Sequence, residues 1–173
     1  MNRVVVDTNV PIVANGRSDA KNSRLPSIAC REAAVKRLQQ ILASGKVLLD
    51  LAGEIQAEYR AHLYASGQPG VGDRFYQAII NSAPTRIERV ELPKQEDGEF
   101  EDLPRVLVAT NFDPSDRKFA ALAKREQAPV VNATDSDWLN QRETLQEHGI
   151  LVEFVCGCES SLWFTQQEMD TAS

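Results

Sequence analysis

The chain has 173 residues, 42% of them hydrophobic, and a formal net charge of -6 at pH 7. This length and composition fit one globular domain whose core needs no disulfide or metal to hold it together. The negative charge argues against a surface coated in basic residues for non-specific nucleic-acid binding, and no segment is long and apolar enough to span a membrane. We predict a single domain over residues 1–158 and a C-terminal tail over residues 159–173.

Short apolar runs alternate with segments of helical periodicity along the chain. In chain order, the pattern predicts a strand over 1–6, a helix over 28–44, a strand over 46–51 and a helix that begins at Gly53 and ends at Gly67. A helix over 73–82 and a strand over 85–92 follow, and then a helix with Asp113 as N-cap and Pro114 as first residue. The last predicted elements are a strand over 129–133, a helix over 135–148 and a strand over 150–155. This alternation is typical of a parallel sheet with helices on both faces. The predicted fold class is therefore α/β: a three-layer α/β/α sandwich with a central, mostly parallel five-stranded sheet.

The cysteines bear on the compartment and on metal binding. Cys30, Cys156 and Cys158 are an odd number, and the N-terminus has no signal-peptide pattern, so we expect a reducing, cytoplasmic setting. Cys156 and Cys158 have too few companions at a recognised spacing for a convincing zinc site.

Four acids lie where a predicted strand ends or a predicted helix begins: Asp7, Glu58, Asp116 and Asp135. In open parallel sheets, ligands bind outside the C-terminal ends of the strands, near the point where strand order reverses. Carboxylates directed at one point repel each other unless a cation compensates them, and oxygen ligands favour Mg²⁺ or Mn²⁺. Such ions can activate water and stabilise the leaving oxygen in phosphodiester hydrolysis. We therefore predict a catalytic metal site.

Two of these acids have structural alternatives in their own segments. The run Asp7-Thr8-Asn9 is turn chemistry in its own right. Glu54 lies four residues before Glu58 on the same helical face, so either can be the ligand, and we favour Glu58.

The other two acids have alternatives as helix caps. Asp116 follows the predicted N-cap Asp113 by three residues, where the helix dipole favours an acid. Asp135 and Asp137 can cap the next helix, although Asp135 directly follows a strand and is the better ligand candidate, with Asp137 completing the site.

Other polar residues fall near the predicted site. Thr8, Asn9 and Thr134 are candidates for supporting the carboxylates, although turn and cap roles explain them about as well. Five basic residues are candidates for phosphate contacts: Arg17, Lys21, Arg24, Arg117 and Lys118. A solvated loop is the favoured role for the first three, and surface solubility explains the other two equally well. For Trp138 a helix-core role is favoured over base stacking.

Taken together, four segments resemble the PIN family of nucleases. They are Val4-Val5-Val6-Asp7-Thr8-Asn9-Val10, Glu58-Tyr59, Asp116-Arg117-Lys118-Phe119-Ala120-Ala121-Leu122-Ala123, and Val130-Val131-Asn132-Ala133-Thr134-Asp135-Ser136-Asp137-Trp138. The resemblance implies a five-stranded parallel sheet and an acidic site that binds magnesium or manganese. It makes Asp7, Glu58, Asp116 and Asp135 the central acids.

The resemblance also implies a function and partners. The leading hypothesis is a metal-dependent endoribonuclease that acts on RNA, as a toxin of a toxin-antitoxin or defence system. An antitoxin or another protein partner and a homodimer are compatible with it. The alternatives are a non-catalytic PIN-like module that binds RNA or protein, and a DNA-directed, structure-specific nuclease.

Overall fold

The computed structural model describes residues 2–18, 21, 23–64, 66, 69–81 and 85–166. Some residues of the predicted elements and of the predicted tail lie outside the described residues: Met1, Gly67, Ser82 and residues 167–173. Five strands are described: β1 (Asn2–Val6), β2 (Gly45–Asp50), β3 (Ile87–Val90), β4 (Val130–Asn132) and β5 (Val152–Phe154). The helices are α1 (Asn9–Ala14), α2 (Ile28–Ser44), α3 (Glu54–His62), α4 (Val71–Asn81), α5 (Arg105–Ala109), α6 (Arg117–Glu126), α7 (Ser136–Asn140) and α8 (Arg142–Glu147).

The strands form one sheet in the order β3-β2-β1-β4-β5, and every described pair of neighbours is parallel. β1 is central, and its residues Val4, Val5 and Val6 are almost completely buried. A continuous apolar run of this kind is what a strand covered on both faces requires. Strand order reverses between β1 and β4, so the ligand-binding edge lies at the C-terminal ends of these two strands.

Helices cover both sides of the sheet. On one side α1, α2 and α4 contact one another, whereas α3 and α6 contact each other and the central strands. The predicted α/β fold with a five-stranded parallel sheet is confirmed. None of the described helices is long and apolar enough to cross a membrane.

Several helices differ from their prediction. No helix was predicted between the first strand and residue 28, but the segment after β1 contains α1, whose six residues are all buried. A helix this short and this buried shows no alternation of apolar and polar residues, so periodicity misses it. The helix predicted over 135–148 is two helices, α7 and α8, which meet at Gln141. The short helix α5 was not predicted.

Two cysteines are paired. Cys30, in the first turn of α2, forms a disulfide with Cys156, just after β5, with 4.9 Å between their Cα atoms, while Cys158 is exposed and free. The odd number of cysteines and the reducing setting predicted from it gave no indication that these two would meet. Since disulfides persist mainly in oxidising compartments, the pair runs against the expected reducing setting, and the cytoplasmic location stays a prediction.

Part of the predicted tail packs against the segment before α2. The Trp163 side chain is buried and donates a hydrogen bond to the carbonyl oxygen of Gly157 at 2.8 Å. The backbone N–H of Ser27 donates a hydrogen bond to the Trp163 carbonyl oxygen at 2.8 Å. Pro26 and Phe164 form an isolated antiparallel β-bridge. The domain boundary at residue 158 stays a prediction.

We expect Gly72→Ala to destabilise the protein more than Gly98→Ala. A Cβ at Gly72, in the first turn of α4, would lie 1.9 Å from the carbonyl oxygen of Pro11 in α1, so the two helices would have to separate. We expect a loss of about 3 kcal/mol or more from this overpacking. Gly98 has φ +85° with open space around it, so alanine there costs only about 1–2 kcal/mol of backbone strain.

Urea unfolding midpoints of the two variants and the wild type measure this difference. An equal or smaller loss in Gly72→Ala would show that α1 and α4 do not approach each other this closely.

Candidate metal centre

Three buried carboxylates meet at the point where strand order reverses. Asp7 directly follows β1, Asp135 comes three residues after β4, and Asp116 precedes α6. Their side chains are buried, and one oxygen from each lies within 4.8 Å of the others. We call Asp7, Asp116 and Asp135 the inner group. Parallel strands end on the same edge of the sheet, which is why acids far apart in the sequence converge here.

Two donors hold the Asp7 carboxylate. The backbone N–H of Asn9 donates to its Oδ1 at 2.9 Å, and the indole N–H of Trp138 donates to its Oδ2 at 2.6 Å. Trp138 is fully buried and packs edge-on against Phe112, with ring centroids 5.0 Å apart. The indole therefore has the core position that was favoured over base stacking, and it also orients an acid of the inner group.

Asp135 combines a helix cap with membership of the inner group. Its Oδ1 accepts a hydrogen bond from the backbone N–H of Asp137 at 2.9 Å at the start of α7. Its own backbone N–H and carbonyl both bond to the side-chain amide of Asn132, at 3.2 and 3.1 Å. The two roles that the sequence left open for Asp135 coexist.

A hydrogen bond between two buried side-chain amides joins the turn after β1, which carries Asp7, to the turn after β4, which carries Asp135. The side-chain N–H of Asn9 donates to the side-chain oxygen of Asn132 at 2.8 Å. The Asn9 oxygen accepts from the backbone N–H groups of Ala133 and Thr134, at 2.8 and 3.2 Å. Sequence reasoning did not single out Asn132, although an amide that ends the apolar run of β4 is an available signal, because a buried amide needs partners.

The start of α6 differs from the prediction. Asp113 is not the N-cap: Asp116 occupies that position, with no hydrogen bond from its side chain to the helix, and α6 begins at Arg117. The Asp113 carboxylate instead accepts hydrogen bonds from the backbone and hydroxyl of Ser115, both at 2.8 Å. Because Asp116 is not used as a cap, its carboxylate is available to the inner group.

Two carboxyls of the inner group, those of Asp7 and Asp116, resist ionisation. Burial, together with the charge of Asp135, raises the pKa of Asp7 to about 7, against hydrogen bonds from Asn9 and Trp138 that lower it. Burial and the charges of Asp7 and Asp135 raise the pKa of Asp116 to about 9, despite the neighbouring Lys21. Carboxylates this close remain charged together only when a cation compensates them.

One side chain already supplies positive charge. The Lys21 ammonium lies 2.7 Å from Asp135 Oδ2, 2.9 Å from Asp116 Oδ2, 3.0 Å from Asp113 Oδ2 and 3.4 Å from Asp137 Oδ2. Burial alone would lower the pKa of Lys21, but the carboxylates of Asp116 and Asp135 outweigh it and raise that pKa, so the amine is charged.

Lys21 lies against a second cluster. Oxygens of Asp113, Asp116 and Asp137 also lie within 4.8 Å of one another. We call these three residues the outer group. Sequence reasoning treated Asp113 only as a helix cap and placed Lys21 among phosphate contacts.

Glu58 lies beside the inner group with its carboxylate engaged elsewhere. One oxygen accepts from the Thr8 hydroxyl at 2.7 Å, and the other pairs with the Lys118 ammonium. Glu58 lines the same cavity of about 290 Å³ as the inner group. Glu54, the alternative ligand, lines a different cavity and pairs with Lys94 at 2.9 Å. The structure therefore separates the two candidates by position.

Three of the five basic candidates make contacts with residues outside the inner and outer groups. The Arg117 guanidinium pairs with Glu99 at 2.6 Å. Arg17 lies over the Tyr64 ring, and Arg24 bonds to the carbonyl of Thr165 at 3.0 Å.

The cavity over the inner group is lined by all four predicted catalytic acids and also by three residues that were not predicted. Its lining is Asp7, Thr8, Asn9, Ile12, Lys21, Glu58, His62, Ser115, Asp116 and Asp135. Nothing in the spacing of His62 or Ser115 distinguished them in the sequence. The cluster of buried acids can hold a metal ion, while the role of each residue stays a prediction.

No family model matches the chain, and no curated protein matches it. The chain is similar in structure to one protein chain in a crystal structure. That structure contains VapBC2 from Rickettsia felis bound to a DNA fragment from the VapBC2 promoter. The two chains are 12% identical, the match covers 88% of this chain and 98% of that chain, and the TM-score is 0.49. We infer nothing about function from so distant a likeness.

Proposed function

We propose that this chain is a divalent-metal-dependent nuclease of the PIN type that hydrolyses the phosphodiester bonds of RNA. One observation carries the proposal: Asp7, Asp116 and Asp135 are buried with oxygens within 4.8 Å of one another, at the edge of a parallel sheet where ligands bind. Such a cluster is costly unless a cation binds it.

The donor set fits Mg²⁺ or Mn²⁺. The inner group offers only carboxylate oxygens, which these hard cations prefer, and includes none of the sulfur or imidazole ligands that favour zinc. When bound, such an ion activates water and stabilises the leaving oxygen of a phosphodiester.

The chain's own residues hold the site in a fixed geometry. Trp138 and the backbone of Asn9 orient the Asp7 carboxylate, and the start of α7 orients Asp135. Lys21 lines the cavity and Lys118 pairs with the cavity-lining Glu58, so both ammonium groups place positive charge beside the acids, which favours the approach of an anionic strand. Glu58 lines the same cavity, with its carboxylate held by Thr8 and Lys118.

RNA as the substrate rests on the sequence resemblance to PIN nucleases, as do an antitoxin or other protein partner, a homodimer and a role in a toxin-antitoxin or defence system. A DNA-directed nuclease with the same site and a non-catalytic module on the same scaffold are the alternatives. Comparing RNA with DNA substrates distinguishes the DNA-directed nuclease from the proposed ribonuclease. Cleavage of any of these substrates excludes the non-catalytic module.

We expect Asp7→Asn to lower RNA cleavage in Mg²⁺ or Mn²⁺ by more than roughly 100-fold, because even residues that only support metal ligands contribute about 10–100-fold. Asp97→Asn is the matched control, since Asp97 is an exposed acid that pairs with Arg105. Labelled single-stranded RNA, single-stranded DNA and flap DNA are offered side by side. Equal cleavage by wild type and Asp7→Asn would contradict the proposal, and cleavage of DNA alone would replace RNA with DNA.

We expect Mn²⁺ to stabilise the protein more as pH rises. Asp7 has an ordinary pKa of 3.8 and a folded pKa of about 7. Between these values the folded state binds more protons than the unfolded state, so without metal the stability falls as pH rises, and Asp116 extends the fall to about pH 9. Metal binds the deprotonated carboxylates and so offsets this loss.

Thermal unfolding with Mn²⁺ and with chelator at about pH 5, 7 and 9 checks this expectation. A metal-induced shift of the same size at all three pH values would show that the inner group does not bind the ion.

We expect Trp138→Phe to weaken Mn²⁺ binding by about 10–100-fold, because phenylalanine keeps an aromatic ring against Phe112 but removes the N–H that orients Asp7. Trp163→Phe is the control: it removes a buried indole N–H that donates to Gly157, away from the acids. Calorimetric titration measures both affinities. If both variants bind Mn²⁺ like the wild type, the indole does not position Asp7 for a metal.

A further inference from the structure

We infer that Lys21 is the chain's own cation in this site: its ammonium occupies the outer group in place of a second metal ion, so that the site binds one divalent ion, at the inner group. This inference rests on the metal centre of the proposed function. It goes beyond that function because it assigns a role to Lys21 and a number to the bound ions.

The position of the ammonium is the first argument. Lys21 Nζ lies within 3.0 Å of carboxylate oxygens of Asp113, Asp116 and Asp135, and 3.4 Å from Asp137. All three members of the outer group are among these partners. An ammonium nitrogen among several carboxylate oxygens at these distances stands where a cation bound by the outer group would lie.

The charge of the buried residues is the second argument. When ionised, Asp7, Asp116 and Asp135 together carry three negative charges, and they are nearly inaccessible to water. One divalent ion and one ammonium supply three positive charges. The side chains of Asp113 and Asp137 are 31% and 38% exposed, so water already compensates much of their charge. The buried set is therefore balanced with a single metal ion.

The cost of displacing Lys21 is the third argument. A second divalent ion at the outer group would compete with the Lys21 ammonium for oxygens of Asp116 and Asp135, whose side chains are buried. The ion and the ammonium would repel each other at this distance, so the ion could bind only after Lys21 had moved away. The Lys21 side chain, which comes from the segment between α1 and α2, therefore excludes a second ion.

Lys118 differs from Lys21 in this respect. Its ammonium pairs with Glu58 and with the carbonyl of Ser115, and so compensates an acid outside both groups. Lys21 alone of these two lysines contacts acids that belong to the inner and outer groups. A substitution at Lys21 should therefore change how many ions bind.

The test counts Mn²⁺ ions by calorimetric titration and equilibrium dialysis, with electron paramagnetic resonance to detect two spin-coupled ions. We expect one ion in the wild type, two in Lys21→Met, and one in Lys21→Arg, which retains the charge. Adding Asp137→Asn to Lys21→Met should return the count to one, because it removes a ligand of the outer group. Lys36→Met, on the exposed surface of α2, is the matched control and should bind one ion.

Two results would overturn the inference while leaving the proposed metal centre intact: two ions in the wild type, or one ion in Lys21→Met. Absence of Mn²⁺ binding in the wild type and in every variant would instead overturn the metal centre itself. Thermal unfolding verifies that each variant is folded. Lys21→Gln replaces Lys21→Met if the latter does not fold, and the count in the wild type tests the inference in either case.

Discussion

The mutual repulsion of three buried carboxylates is the constraint on which the rest of this structure depends. Asp7, Asp116 and Asp135 lie too close together, and too far from water, to be ionised without a cation nearby. The raised pKa values of Asp7 and Asp116 reflect this cost. The ammonium of Lys21 reduces it, and a divalent ion at the inner group would remove most of what remains.

The fold keeps these charges together by using neutral partners on either side of them. Asn9 and Asn132 join the turn after β1 to the turn after β4 through a bond between buried amides. Trp138 contributes both a packed ring and a donor to Asp7. Because buried polar groups must be paired, these contacts leave the two turns little freedom to separate. Rigid support of this kind gives a metal site its geometry.

The sequence predicted the parallel sheet because its strands are short apolar runs and its longer helices have clear periodicity. It also predicted Asp7 and Asp135 as neighbours, since both follow strands that end on one edge. It misplaced the start of α6 because Asp113-Pro114 has the local chemistry of a helix start, whereas Asp113 closes a turn with Ser115 and binds Lys21. It missed α1, a wholly buried helix with no polar face to create a period.

Local patterns in the sequence therefore determined the strands, the longer helices, their alternation and the position of Asp7 at the end of β1, because these depend on residues near one another in the chain. Only the tertiary structure decided which side chains share the site. The bond from Trp138 to Asp7 spans 131 positions, and that from Lys21 to Asp116 spans 95. The same holds for Glu58 and Glu54, which share a helix but line different cavities. Such contacts depend on how β1, β4 and α6 lie side by side, and no local pattern of residues encodes that arrangement.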